Sequence, residues 1–464
     1  MSARAITGYG AYLPRHRLAH AEIADALGAG GGRGTRTVAS FDEDSTTMAV
    51  EAARAATGDG RPDAIHLATT APAYLDKTNA AAVHAALDLG HAGFAADVVG
   101  SARSAVAALR SGLADGGLVV LSDLRNGRPG STDERDGGDG AVALRFGDPD
   151  DAIAVVLARA SATAEFLDRW RAPGDDHSGQ WEERFGAERY APLVESVVAE
   201  ALAAAGIEQA DHVVISSPHG RAAAAARKRY RGRIEGADPA IGYVGAADLG
   251  LRLAAVLDRA GADETILVVS AADGADAFVL RTTERLAATR PERGVVAQLE
   301  HGRALRYAAF LTWRGRLERE PPRRPEPDRP AGPPSARSEA WKFAFVGSRC
   351  TACGFVHVPP MRVCKSCRAV DEMESLSLAD RRGTVATFTV DRLAFSPAPP
   401  LITVVVDFDG GGRYTVEMAD AAPDEVAIGT RVEMTFRRLY TVDGVHNYFW
   451  KARPLAEATG TTEG

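Results

Sequence analysis

An α/β layered unit followed by a metal-braced all-β unit is the architecture this sequence predicts. Short apolar runs of strand length alternate with helix-spaced segments up to about residue 316. All four cysteines fall between positions 350 and 367. Behind them come β-rich runs separated by Gly, Pro and Asp turns. A chain of 464 residues is long for one domain, so two or three are expected.

In the first unit, ARAITGYG, AIHLATT, FAADVV and GLVVLSD read as strands. DSTTMAVEAARAAT, NAAAVHAALDLG and SARSAVAALRSGLA carry helical spacing. The alternation predicts a mostly parallel central sheet. There is an internal echo. SAVAALRSGLADGGLVVLSD, then GGDGAVAL, is matched by LGLRLAAVLDRAGADETILVVSAADGADAFVL, and Leu118 stands 148 residues before Ile266. Two halves of similar plan predict a duplication with a site where they meet.

Residues 317–338 hold seven prolines in 22 positions and show no periodicity, which predicts an extended, semi-rigid linker. The expected units are therefore 1–316, the linker 317–338, a cysteine-bearing ribbon 339–370, a barrel 371–456 and a frayed tail 457–464. SEAWKFAFVGSRC opens the second part with a short helical segment. Then GTVATFTV, LITVVVDFD, GRYTVEMA, GTRVEMTFRRLY and HNYFWKARP predict a small antiparallel barrel.

Cys350, Cys353, Cys364 and Cys367 form a C-x2-C-x10-C-x2-C pattern. Two residues between thiolates let one tight turn aim both at one ion, and two such turns close a tetrahedral site of soft ligands suited to zinc. A closed site has no open position, so the zinc is structural.

Several classes are excluded. The net charge is −8, and positions 371–450 hold 13 Asp or Glu against 7 Arg or Lys, so no nucleic-acid footprint is expected. No run reaches the ~18 apolar residues of a membrane span. The start, MSARAITGYGAYLP, lacks the apolar core of a signal peptide. Clustered cysteines suit a reducing cytoplasm rather than a disulfide framework.

RCTACGFVHVPPMRVCKSC followed by RRGTVATFTV resembles the acyl-CoA-associated zinc-ribbon/OB-fold family. ITGYGAYLPRHRL, GGDGAVAL, EFLDRWR and GYVGAADLGLRLAAVL with ILVVSAADGADAFVL resemble 3-hydroxy-3-methylglutaryl-CoA synthase and ketoacyl synthase III, of the thiolase superfamily. The resemblance implies a duplicated five-layered fold, a homodimer or a pairing with a paralogous subunit, and a CoA thioester as substrate or ligand. It also implies a catalytic set of cysteine, histidine and asparagine, which this chain lacks. Ala102 stands at the cysteine position, five residues after Asp97. Ser216 stands at the histidine position and His219 at the asparagine position. Gly242-Tyr243 replaces a Gly-Asn pair, and neither Thr70 nor Ala71 supplies the synthase's acidic base.

Six residues in the first unit are candidates for a role. Ser101, at the predicted helix start, is either an N-cap or a weak nucleophile that needs a base. Arg103 beside it, with Ser216, is a candidate for holding an anionic substrate group. His219, at a strand end, is the best acid–base candidate. Tyr243 is a candidate donor to an enolate or alkoxide, and Asp76 in YLDKTN a candidate acid–base group. The expected function is aldol or retro-aldol chemistry on an acyl-CoA with no acyl-cysteine. The alternatives are a non-catalytic acyl-CoA-binding or partner subunit, and an acyltransferase using Ser101.

Overall fold

The computed structural model describes residues 4–28, 32–58, 60–234, 240–320, 324–325, 328 and 331–455. The tail 457–464 and part of the linker lie outside them. The chain divides into two compact units. The first holds residues 4–39, 44–84 and 91–310, and the second holds 40–43, 85–90 and 311–455.

The first unit is built on a nine-stranded sheet of β1 (Ala5–Tyr12), β2 (Ala64–Thr69), β3 (Phe94–Val99), β4 (Gly117–Leu124), β5 (Asp139–Gly147), β6 (Ala154–Ala162), β7 (His212–Ser216), β8 (Thr265–Ser270) and β9 (Ala275–Thr282). Their order across the sheet is β7-β8-β9-β6-β1-β5-β4-β2-β3. The halves join through one pairing, Ile6 with Ala154. Five helices concern the site: α1 (Ser45–Thr57), α2 (Ser104–Asp115), α3 (Glu183–Ala205), α4 (Gly220–Arg229) and α5 (Asp248–Leu257).

The duplication is visible in the element order. β1-α1-β2, then α2-β4-β5, is repeated as β6-α3-β7, then α5-β8-β9. The 148-residue echo corresponds to β4 and β8. α1 packs outside β1, β4 and β5, and α3 packs outside β6 and β9. α2 and α5 lie between the half-sheets, and one core cluster joins Val106 and Leu109 of α2, Leu253 of α5, Leu144 of β5 and Phe278 of β9. This is the five-layered thiolase-like arrangement.

The expectation of a mostly parallel sheet is corrected. β2 pairs in parallel with β3 and β4, and β7 with β8, but β1–β5, β1–β6, β4–β5, β6–β9 and β8–β9 are antiparallel. DGAVAL and DGADAFVL are themselves strands, each returning beside the strand before it. A run that doubles back is antiparallel whatever its composition.

In the second unit, Glu339–Ala344 is helical, as its sequence suggested. The linker is not wholly extended: Gly332–Arg337 forms a helical turn with proline in its first positions, where a missing N–H is tolerated. The ribbon strands Val346–Cys350 and Val356–His357 are joined by Met373–Ser377, so the ribbon sheet runs past residue 370. The barrel strands are Gly383–Asp391, Leu401–Phe408, Arg413–Glu417, Arg431–Val442 and Val445–Pro454, all antiparallel to their neighbours. A bridge from Met418 to Ala452 brings the ends of this sheet together. Trp450 is fully buried in it, its indole N–H donating to Phe343 O at 2.8 Å.

Candidate functional site

Parallel strands present their C-terminal ends on one rim, where sites gather in α/β sheets. Thr70 follows β2, Gly100–Arg103 follows β3, Arg125 follows β4, Ser217–His219 follows β7 and Ala271–Asp273 follows β8. The segment Asp168–Arg171 lies against residues from both halves of the duplication.

At the turn after β3, Ser101 is exposed and its Oγ accepts from the Arg103 N–H at 3.3 Å. That contact supports the helix start, although Arg103, not Ser101, is the N-cap residue of α2. Among the described residues no base touches Ser101. Arg103 turns inward. Its Nε and Nη2 fork onto Asp276 at 2.9 and 3.3 Å, and its remaining donors go to Thr163, Asp273 O and Ala162 O. All five N–H groups are engaged, so none is left for a substrate anion.

His219 is 4% exposed and caps α4. Its Nδ1 accepts from the Ala222 N–H at 3.1 Å, which assigns the neutral ring its proton on Nε2. That Nε2–H has no hydrogen-bond partner, and Asp168 Oδ1 stands 4.0 Å away. Burial pushes the Asp168 carboxyl above the usual carboxylate range, against the pull of His219 and Arg169. The Tyr190 ring packs on His219 at 5.9 Å, and Tyr190 Oη accepts from the Asp273 N–H. Ser217 sets the loop, donating to Ala271 O at 2.7 Å and accepting from the His219 N–H at 3.1 Å. Ser216 is buried in β7, where its carbonyl accepts from the Ala271 N–H.

Tyr243 is held by its backbone between Asp136 O and the Gly138 N–H. Its hydroxyl is buried without a partner, and burial, with Asp248 adding to it, pushes the phenol above its ordinary value. It stays protonated as a donor. The Arg125 guanidinium lies 5.8 Å from its ring centre and donates to Thr70 Oγ1 at 3.2 Å. Thr70 in turn donates to Asp123 at 2.8 Å, and the Ala246 N–H reaches the same carboxylate at 2.7 Å. Arg169 pairs with Asp133 through two nitrogens, while its Nε is buried without a partner. Arg171 donates to Thr70 O.

The structure thus gathers His219, Asp168 and Tyr190 in one group, and Tyr243, Thr70, Asp123, Arg125 and Arg169 in another, with Asp168-Arg169 contributing to each. It leaves Asp76 aside, exposed in a bend, while Asp97 accepts from the Asn79 and Ala80 N–H groups at the neighbouring helix start. Sequence reasoning missed Asp123, Arg125, Asp168, Arg169 and Ser217. EFLDRWR was the available signal, since charged residues flanking a tryptophan there are costly to bury unless used.

In the second unit the four cysteine sulfurs lie within 4.8 Å of one another, with Cys350–Cys367 and Cys353–Cys364 at 3.6 Å. Ligands ~2.3 Å from zinc stand about 3.8 Å apart in a tetrahedron, so this set fits a structural zinc ion.

Comparisons with known proteins divide along the same line. Residues 343–374 match the family described as the ChsH2 rubredoxin-like zinc ribbon domain, and 377–437 match the ChsH2 C-terminal OB-fold domain. A hydroxymethylglutaryl-CoA synthase of Archaeoglobus fulgidus is 31% identical over 346 residues, covering 68% of this chain and 99% of the relative. A DUF35 domain-containing scaffold protein of Methanocaldococcus jannaschii is 33% identical over 119 residues, covering 25% of this chain and 84% of the relative. Among solved structures, an HMG-CoA synthase complexed with CoA superposes with a TM-score of 0.58 at 16% identity, covering 66% of this chain and 89% of that one. 3-Oxoacyl-(acyl carrier protein) synthase III of Pseudomonas aeruginosa gives 0.53 at 21% identity, covering 61% and 98%. At such identities the superpositions speak for the fold alone. Among the described residues no helix is long and apolar enough to cross a membrane.

Proposed function

The chain belongs to the hydroxymethylglutaryl-CoA synthase family, fused to a ChsH2/DUF35-type zinc ribbon and OB-fold, and from that premise we propose that it carries out aldol or retro-aldol chemistry on an acyl-CoA without an acyl-cysteine intermediate. One observation carries the reading. The first unit contains no cysteine at all, yet among the described residues its strand-end rim keeps three buried donors with no partner, His219 Nε2, Tyr243 Oη and Arg169 Nε. Buried donors are nearly always satisfied, so orphans in both of the groups that Asp168-Arg169 links suit a ligand bearing oxygen acceptors.

The chemistry follows from those donors. In the retro-aldol direction the 3-hydroxyl of a 3-hydroxyacyl-CoA gives its proton to a base, a carbonyl forms at C3 as the C2–C3 bond breaks, and the electron pair moves onto the thioester as an enolate that is then protonated at C2. His219 Nε2–H and Tyr243 Oη–H stabilise the developing oxyanions, a role worth ~2.7–4 kcal/mol per donor where it has been measured. His219 acts as a donor rather than as the acid–base group its sequence suggested, because Nδ1 is already occupied by the Ala222 N–H.

A non-catalytic partner subunit is the second reading. The exposed edge strand β3, with Phe94 57% and Val99 48% exposed, is what favours it. Acyl transfer through Ser101 has least support, since among the described residues no base touches that hydroxyl. The experiment is turnover of a panel of 3-hydroxyacyl-CoA esters, followed by release of a carbonyl product. His219→Ala and Tyr243→Phe should each slow release by at least ~100-fold. Absence of product across the panel, with a cysteine-bearing thiolase-like protein co-purifying, would replace this reading by the partner-subunit one.

A further inference from the structure

Asp123 is a fully buried carboxyl that the chemistry above does not use. Five hydrogen bonds from four groups hold it. Thr70 Oγ1 approaches both of its oxygens at 3.0 and 2.8 Å, and the backbone N–H groups of Thr70, Leu124 and Ala246 complete the set. The approach is so close that a Cβ on Gly245 would fall 2.0 Å from Asp123 Oδ2. Burial pushes this carboxyl above the usual carboxylate range in spite of Arg125 and the surrounding donors.

Thr70 Oγ1 gives its hydrogen to Asp123 and accepts from Arg125 Nη1 with one lone pair, which leaves its second lone pair open. The same Arg125 lies over the ring of Tyr243, and Ala71, next in the chain after Thr70, is half-buried. The charged and titratable groups facing the pair are Arg125 after β4, Arg171 on the Thr70 carbonyl, and Tyr243, whose phenol senses Asp123.

We propose that Thr70 and Asp123 form a proton relay, Thr70 Oγ1 being the catalytic group that exchanges protons with substrate and Asp123 the positioning residue that stores one behind it. The proposal rests on the aldol reading of the site. In the retro-aldol direction Thr70 takes the proton of the 3-hydroxyl as its own passes to the Asp123 carboxylate. The C2–C3 bond breaks, a carbonyl forms at C3, and the electron pair goes to the thioester enolate. The stored proton then returns through Thr70 to C2. One proton leaves oxygen and one arrives on carbon, so neither an oxidant nor a co-reactant is needed. Arg125 stabilises the Thr70 oxygen while it carries less than its full share of hydrogen.

The test uses the full-length chain with acetyl-CoA in D2O, reading deuterium entry at C2 by mass spectrometry beside cleavage of 3-hydroxyacyl-CoA esters. The wild type is expected to exchange. Thr70→Val should lose exchange and cleavage by about 100-fold or more, Thr70→Ser should keep both within about tenfold, and Asp123→Asn should abolish the pH dependence of exchange in the acid limb. Binding of acetyl-CoA by Thr70→Val, measured by calorimetry, should match the wild type and so separates lost chemistry from lost folding. Exchange by Thr70→Val at the wild-type rate overturns the relay and leaves the aldol reading standing. Exchange that Thr70→Val loses, without cleavage of any ester, removes the aldol reading and with it the 3-hydroxyl step, and leaves only proton exchange at C2 through Thr70. A wild type that does neither overturns both.

Discussion

His219 Nε2 and Asp168 Oδ1 face each other at 4.0 Å, both side chains buried, with no hydrogen bond closing the gap. What keeps that space is a glycine. A Cβ on Gly186 of α3 would lie 2.6 Å from His219 Nε2 and 2.4 Å from Asp168 Oδ1. Gly186→Ala should therefore displace the imidazole and cut turnover at least tenfold. Because overpacking typically costs ~1–3 kcal/mol, a modest fall in melting temperature should accompany it. Unchanged kinetics in that variant would show that His219 is not held for a ligand.

Asp168 also sets a pH dependence. Its carboxyl titrates above the usual carboxylate range because it is buried. Between the unfolded value and the raised folded one, the folded state holds more protons, so stability falls as pH rises through that window. Asp168→Asn should flatten this slope and be the more stable protein above it. Chemical denaturation from about pH 4 to pH 8 measures both.

The second unit behaves oppositely. Burial alone would raise the Asp42 carboxyl, but Lys451 and Arg437 outweigh it and hold it far below its ordinary value. Lys451 Nζ lies 3.0 Å from Asp42, and Arg437 Nη1 lies 2.9 Å from Glu43. Stability from this group is complete above the usual carboxylate range and is lost as pH falls through the folded value. Arg437→Met leaves buried carboxylates uncompensated and should cost about 3–5 kcal/mol in a neutral-pH denaturant titration.

Zinc should be present at one ion per chain and should be required by the ribbon. Chelation, or Cys364→Ser, should unfold the segment carrying the cysteines, since metal binding and folding are one equilibrium in such modules. Loss of hydrogen-exchange protection confined to 346–377 would be the expected signature, measured against the zinc-loaded protein.

Strand β3 ends the nine-stranded sheet, and its apolar residues Phe94 and Val99 stay exposed. An apolar open edge pairs with another strand. The chain should sediment as a homodimer, and Phe94→Lys with Val99→Lys should yield a monomer. A wild-type chain that sediments as a monomer at micromolar concentration would contradict this.

Much of the fold was legible because periodicity is local. The five barrel strands follow their sequence runs closely, and the cysteine spacing alone named the metal site. The direction of β5 and β9 was not legible, because apolar composition carries no direction. The site was half legible for a related reason. His219 and Tyr243 follow conspicuous local patterns, whereas Arg169 finds Asp133 36 residues away and Arg125 finds Thr70 at a separation of 55. Side chains paired over such distances are ordinary surface charges until the chain folds.

Arg103 gives the duplicated architecture a mechanical property. It springs from the helix of one repeat and is anchored in the other, in its strands through Asp276 and Ala162 and in the turn between β8 and β9 through the Asp273 carbonyl. The repeats are thereby riveted where their strand ends converge, so this rim cannot breathe one repeat at a time. Opening it on either side must loosen both, and a molecule that orders one repeat there will be felt by the other.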